Sequence, residues 1–176
     1  MRLVLASAVL LLGFGCERPT EPPANGPGMV AVQWAGFKQG SLLTEGTASW
    51  CVTDSLLEIL AVKGDTGVGW ALLVQDSVRA TQHPVLSPSV VVDWRPLATA
   101  AVRWFGEADV TGFEAYSGNV HVTEAAAGMV SGTVDLRLRV TGGPDTLRLT
   151  GTFTRIPVGK APGQCGRQAR IGAPPR

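Results

Sequence analysis

The sequence predicts an all-β protein, an antiparallel β-sandwich or flattened barrel of about eight or nine short strands. Three observations carry this. Apolar and polar residues alternate with a period of two in several stretches, the pattern of half-buried strands. Turn signals such as GDTG (64–67) and GGPD (142–145) separate those stretches. Gly and Thr are plentiful, and little of the chain reads as helix.

The chain opens with MRLVLASAVLLLGFG, in which Arg2 precedes an apolar run and small residues follow at Gly13 and Gly15. Charge, apolar core and small residues in that order are the layout of a secretory signal. The run is too short to span a bilayer, which takes about 20 residues. Residues 1–15 are therefore expected to be removed on export. Cys16 follows directly, and the junction resembles the bacterial lipoprotein signal, in which the cysteine after the cleavage site is lipidated. Gly15 matches that pattern, whereas Phe14 and Gly13 depart from it. Ordinary cleavage after Gly15 is the competing outcome and would leave the Cys16 thiol free. Residues 16–28 form a Pro-rich spacer, because Pro19, Pro22, Pro23 and Pro27 keep it extended. Its twelve residues after the cysteine reach roughly 35 Å at about 3.1 Å each.

A single all-β domain is expected over 29–165, with a flexible tail over 166–176. MVAVQWAG (29–36) reads as the first strand. Residues 55–63 carry both a capping-box pattern, Ser55 to Glu58, and a position ahead of a turn and a strand. The turn decides for a strand. In VGWALLVQD (68–76), Val68, Trp70, Leu72 and Val74 share one face, and the opposite face is poor in polar groups. That pattern suggests a strand covered on both sides. SVVVDW (89–94), ATAAVRWFG (98–106) and GNVHVTE (118–124) are further strands. Residues 129–157 are a hairpin, with Val130, Val134, Leu136, Leu138 and Val140 facing Leu147, Leu149 and Phe153. Like charges are unfavourable directly across a ladder. The expected register therefore keeps Arg137 and Arg139 from facing Arg148, and pairs Leu136 with Phe153 and Val140 with Leu149.

The strands at 117–123 (Ser-Gly-Asn-Val-His-Val-Thr), 130–133 (Val-Ser-Gly-Thr) and 151–153 (Gly-Thr-Phe) resemble those of small bacterial lipoproteins that carry an all-β domain. The resemblance implies a fold and an address in the cell envelope, and no chemistry.

Catalytic and cofactor motifs are not found. There is no P-loop, no Gly-x-Gly-x-x-Gly, no Gly-x-Ser-x-Gly and no His-Glu-x-x-His. His83 is placed in a loop before Pro84, and His121 at an exposed strand position. Once Arg2 leaves with the signal, the remaining basic side chains match the 14 acidic ones. Such a balance gives no electrostatic footprint for nucleic acid. Glu107, Asp109 and Glu114 cluster in GEADVTGFEAY and are the candidates for a carboxylate or cation site. Of five tryptophans, Trp70 belongs to an inward set. Trp94 and Trp104 are the surface candidates, because Asp93, Arg95 and Arg103 flank them. Three cysteines in an exported chain raise the question of pairing. With Cys16 lipidated, Cys51 and Cys165 are expected to form a disulfide in an oxidising compartment.

The expected function is a non-enzymatic binding or structural role in the envelope, with the membrane as partner through the lipid and a protein or glycan as ligand. A β-sandwich that binds glycan or a small ligand on exposed Trp is one alternative. A hydrolase using the acidic loop is the other. No cofactor is expected.

Overall fold

The computed structural model describes residues 27–52, 54–74, 77–86 and 97–160, and these form nine β-strands. They are β1 Met29–Gly36, β2 Gly40–Cys51, β3 Leu56–Lys63, β4 Thr66–Leu73, β5 Thr81–Pro84, β6 Leu97–Phe105, β7 Val110–Ala126, β8 Met129–Val140 and β9 Thr146–Lys160. Eight of them follow one another around a closed antiparallel barrel in the order β1, β2, β3, β4, β6, β7, β8, β9, with β9 returning to β1. The all-β expectation holds, and the architecture is a barrel rather than a sandwich.

Closure follows from strand length and curvature. β7 runs for 17 residues and β9 for 15, longer than the short strands expected. β7 gives one part of an edge to β6 and a later part to β5. β9 pairs β8 on one edge and, on the other, first β1 and then β2. Register shifts between Ala115 and Ser117, and between Val122 and Glu124, bend β7, and a third lies between Val130 and Gly132 in β8. Bulges of this kind increase local twist and let a sheet close. β5 lies outside the ring of eight, in the wedge where β6 and β7 part. It pairs β7 from Thr81 to Pro84, and Val85 bridges Ala98 of β6.

The inside is packed with side chains. Val30, Leu57, Ile59, Leu72, Val102, Phe113, Val120, Leu136, Leu149 and Ile156 are all almost inaccessible. Each such residue contributes about 1.5–3 kcal/mol of hydrophobic stabilisation. Trp70 and Phe153 meet at 5.4 Å, while Trp34, Trp104 and Phe113 form an edge-to-face row with centroids 5.6 Å apart. Gly132 makes room for this packing. A Cβ there would lie 2.2 Å from the His121 carbonyl oxygen and 2.4 Å from the Phe153 ring.

The strand expected over 55–63 forms as β3, Leu56–Lys63, so the turn outweighs the capping-box pattern, whereas other expectations meet the structure differently. Ser55 occupies the turn with φ of 49°, its N–H donating to the Val52 carbonyl at 3.3 Å. His83 is not in a loop but in β5, fully buried opposite Val120. The 129–157 hairpin forms in a different register, with Leu136 opposite Leu149 and Arg137 opposite Arg148. Asp135 offsets the facing arginines. Its two carboxylate oxygens accept bonds from Arg148 Nε at 2.9 Å and Nη2 at 2.7 Å.

The barrel has two unlike ends. The β1–β2, β3–β4, β6–β7 and β8–β9 turns lie at one, the hairpin end. The start of β1, the finish of β9, and the β2–β3 and β7–β8 turns lie at the other, the terminal end.

Candidate functional site

The hairpin end gathers exposed apolar groups on a rigid aromatic base. Between β1 and β2, the sequence GFKQG turns on flanking glycines and leaves Phe37 59% exposed. Its N–H donates to the Thr146 carbonyl at 3.0 Å, which ties this turn to the start of β9. The Phe37 ring leans on buried Phe113 at 5.7 Å. Lys38 holds its Nζ over the Trp104 ring, 5.1 Å from the centroid. Such a cation over an indole face is worth about 0.5–1 kcal/mol at an exposed site.

Phe105 and Val110 face each other across the β6–β7 hairpin, and both are exposed. The Phe105 N–H donates to the Asp65 carbonyl at 2.7 Å, joining this hairpin to the β3–β4 turn. The Gly106 N–H donates to the Asp109 carbonyl at 2.8 Å and closes the turn that carries Glu107 and Asp109. Leu43 and Val62, also exposed, lie on the outer face close below. The terminal end contributes Val52 to this class among the described residues.

The candidate residues divide. Trp104 is not on the surface but inside the barrel, 7% exposed. Its flanking Arg103 and Phe105 take the outward positions, and alternation sends Trp104 inward with Val102 and Ala100. Trp34 and Trp70 are buried too, and Trp50 is half-buried. No exposed, coplanar Trp pair exists among the described residues. Glu107 and Asp109 sit on the exposed tip of a tight turn. Glu114 is farther along β7, on the outer face opposite Ala101 and Arg139. The described residues contain no group of three His, Cys, Asp or Glu side chains placed to hold a metal ion. Cys16, Trp94 and Cys165 lie outside the described residues. Cys51 ends β2 in a buried position.

Burial lowers the pKa of His83, while its approach to the Leu97 backbone acts in the opposite direction. Neither ring nitrogen completes a well-formed hydrogen bond. Burial thus favours the uncharged imidazole at this position beside β7. The residues that sequence reasoning missed are Phe37, Lys38, Phe105 and Val110. The legible sign was a Phe and a Lys inside a glycine-bounded turn, where burial is impossible for both.

No protein-family model matches the chain, and no curated protein or solved structure matches it either.

Proposed function

We propose that this is an exported, lipid-anchored barrel that binds an envelope partner through its hairpin end and carries out no catalysis. The anchor on Cys16 and the spacer to residue 28 enter the domain at Met29, on the terminal end. The surface that stands farthest from that entry is the one that exposes Phe37, Phe105 and Val110. This opposition of anchor and apolar tip is the observation that carries the proposal. Exposed apolar groups rimmed by charge mark interaction sites on soluble domains, and Lys38, Glu107 and Asp109 supply such a rim.

The glycan alternative draws no support from the indoles, since Trp34, Trp70 and Trp104 pack inside. The hydrolase alternative draws none from the acidic residues, since Glu107 and Asp109 sit on an exposed turn tip and Glu114 stands apart from them on β7. Membrane fractionation tests the anchor. The native chain should sediment with the envelope, and Cys16→Ala should release it to the soluble fraction. Equal release of both would remove the tether from the proposal.

A further inference from the structure

Among the nine strands, β5 takes no part in closing the barrel. Its residues, Thr81–Pro84, sit in the wedge where β6 and β7 part. Pro84 has no N–H, so it adds no donor to the ladder with β7. Thr81 and Gln82 are exposed, Pro84 is half-buried, and His83 is the one fully buried residue of the strand. Val85, just past the strand, is buried too and bridges Ala98 of β6. The Val85 N–H donates to the Gly118 carbonyl at 2.9 Å, and that of Leu86 to the Ala98 carbonyl at 3.3 Å. The segment is thus seated by short backbone pairing and two buried side chains, one of them an imidazole.

The surroundings of that imidazole suit its neutral form. His83 has no accessible surface, and neither ring nitrogen has a hydrogen-bond partner. Val120 stands directly opposite it on β7, and Val122 and Ala98 stand opposite Thr81 and Val85; all three are apolar and buried. The titratable side chains of the neighbouring segments are exposed: His121, Glu114 and Glu124 on β7, Arg103 on β6 and Arg79 ahead of β5. None of these carboxylates is placed to compensate a charge on the ring. A buried cation without a partner is strongly disfavoured. Protonation of His83 is therefore coupled to bringing the ring out to water.

We propose that β5 is an acid-released strand: protonation of His83 frees residues 81–86 from the wedge while the ring of eight strands stays closed. The ring has its own continuity there, because β6 and β7 pair with each other directly from Ala101 to Phe105. Short elements with few buried groups open at the low end of a protein's range of local stabilities. The size of the effect follows from linkage. The ring titrates near its ordinary pKa of about 6.5 in the open form and stays neutral in the closed one, so the opening constant rises about tenfold between pH about 7.5 and 5.5. Carboxylates ordinarily titrate below this window and lysines above it. Of the side chains, histidine is the one that responds within it, and the chain has two, His83 and His121.

Amide hydrogen exchange on the whole exported chain in detergent, read residue by residue by NMR as protection relative to the intrinsic rate at each pH, tests this. The Val85 and Leu86 amides should lose protection about tenfold between pH about 7.5 and 5.5, while the paired amides of β1 and β9 keep theirs. His121→Gln, which removes the other histidine from an exposed position, should leave that loss intact. His83→Leu, which keeps an apolar side chain in place of the titrating one, should abolish it. Constant protection of Val85 in the native chain would overturn the proposal. An equal loss at β1 and β9 would overturn it too, since the whole barrel would then be opening. So would a loss that survives His83→Leu or disappears in His121→Gln.

Discussion

Asp135 offsets the repulsion in a register that charge counting alone excludes. Facing arginines disfavour the pairing of Arg137 with Arg148, yet that pairing forms. The diagonal carboxylate grips Arg148 with two bonds, and the hydrogen bond and nearby positive charges hold the Asp135 carboxyl below its ordinary range. Pairwise repulsion was legible in the sequence, but the third partner needed the pleat, which puts residues 135 and 148 on one face at diagonal positions. His83 supplies a prediction at this scale. Burial lowers its pKa below 6.5, so the folded state keeps the ring neutral while the unfolded state takes up a proton. Its contribution to stability is complete above that ordinary value and declines as pH falls below it. Urea denaturation between pH about 7 and 5 should show this loss. His83→Leu should flatten the dependence; an unchanged slope would show that other groups set it.

The β8–β9 hairpin, β1 and the β3–β4 pair were legible as elements, because period-two alternation and a glycine turn are local signals. What pairs with what was not. β5 illustrates the limit: four residues containing His and Pro, TQHP, show no strand pattern, and only the parting of β6 from β7 makes room for them. Core glycines carry a second hidden constraint. Gly132 sits where a methyl would strike the His121 carbonyl and the Phe153 ring. Gly132→Ala should cost about 1–3 kcal/mol by overpacking. Phe153→Ala, which empties the same space, should cost about 3–5 kcal/mol. Thermal or urea melts of the two variants check both figures, and a neutral Gly132→Ala would mean that β7 yields there.

The parallel pairing of β2 with β9 bears on the cysteines. It brings Trp50 beside Lys160, so the chain leaves β9 next to buried Cys51. Cys165 comes five positions after Lys160. A bridge between Cys51 and Cys165 would close a loop of more than one hundred residues and contribute about 2–4 kcal/mol. We expect non-reducing peptide mapping of the exported protein to recover the two cysteines in one linked pair. Separate alkylated thiols would contradict this.

At the scale of the whole molecule, the fold class was foretold, and the closure was not. Alternation establishes strands with one buried face, and both a sandwich and a barrel satisfy it. The bulges and the long reach of β7 and β9 select the barrel, and they depend on contacts far apart in sequence. The candidate site was hidden for a related reason. Trp104 looked superficial between charged neighbours, whereas Phe37 and Val110 gained significance only when the topology placed their turns at one end. The proposed anchor would enter at the end of the barrel opposite the apolar tip, and that separation is the central claim. Photo-crosslinking in the intact envelope tests it most directly, with a photoreactive residue placed in turn at Phe37, Val110 and Val52. The account predicts a discrete adduct to the same partner from Phe37 and Val110 and none from Val52. Adducts of equal yield from all three positions, or from Val52 alone, would contradict it.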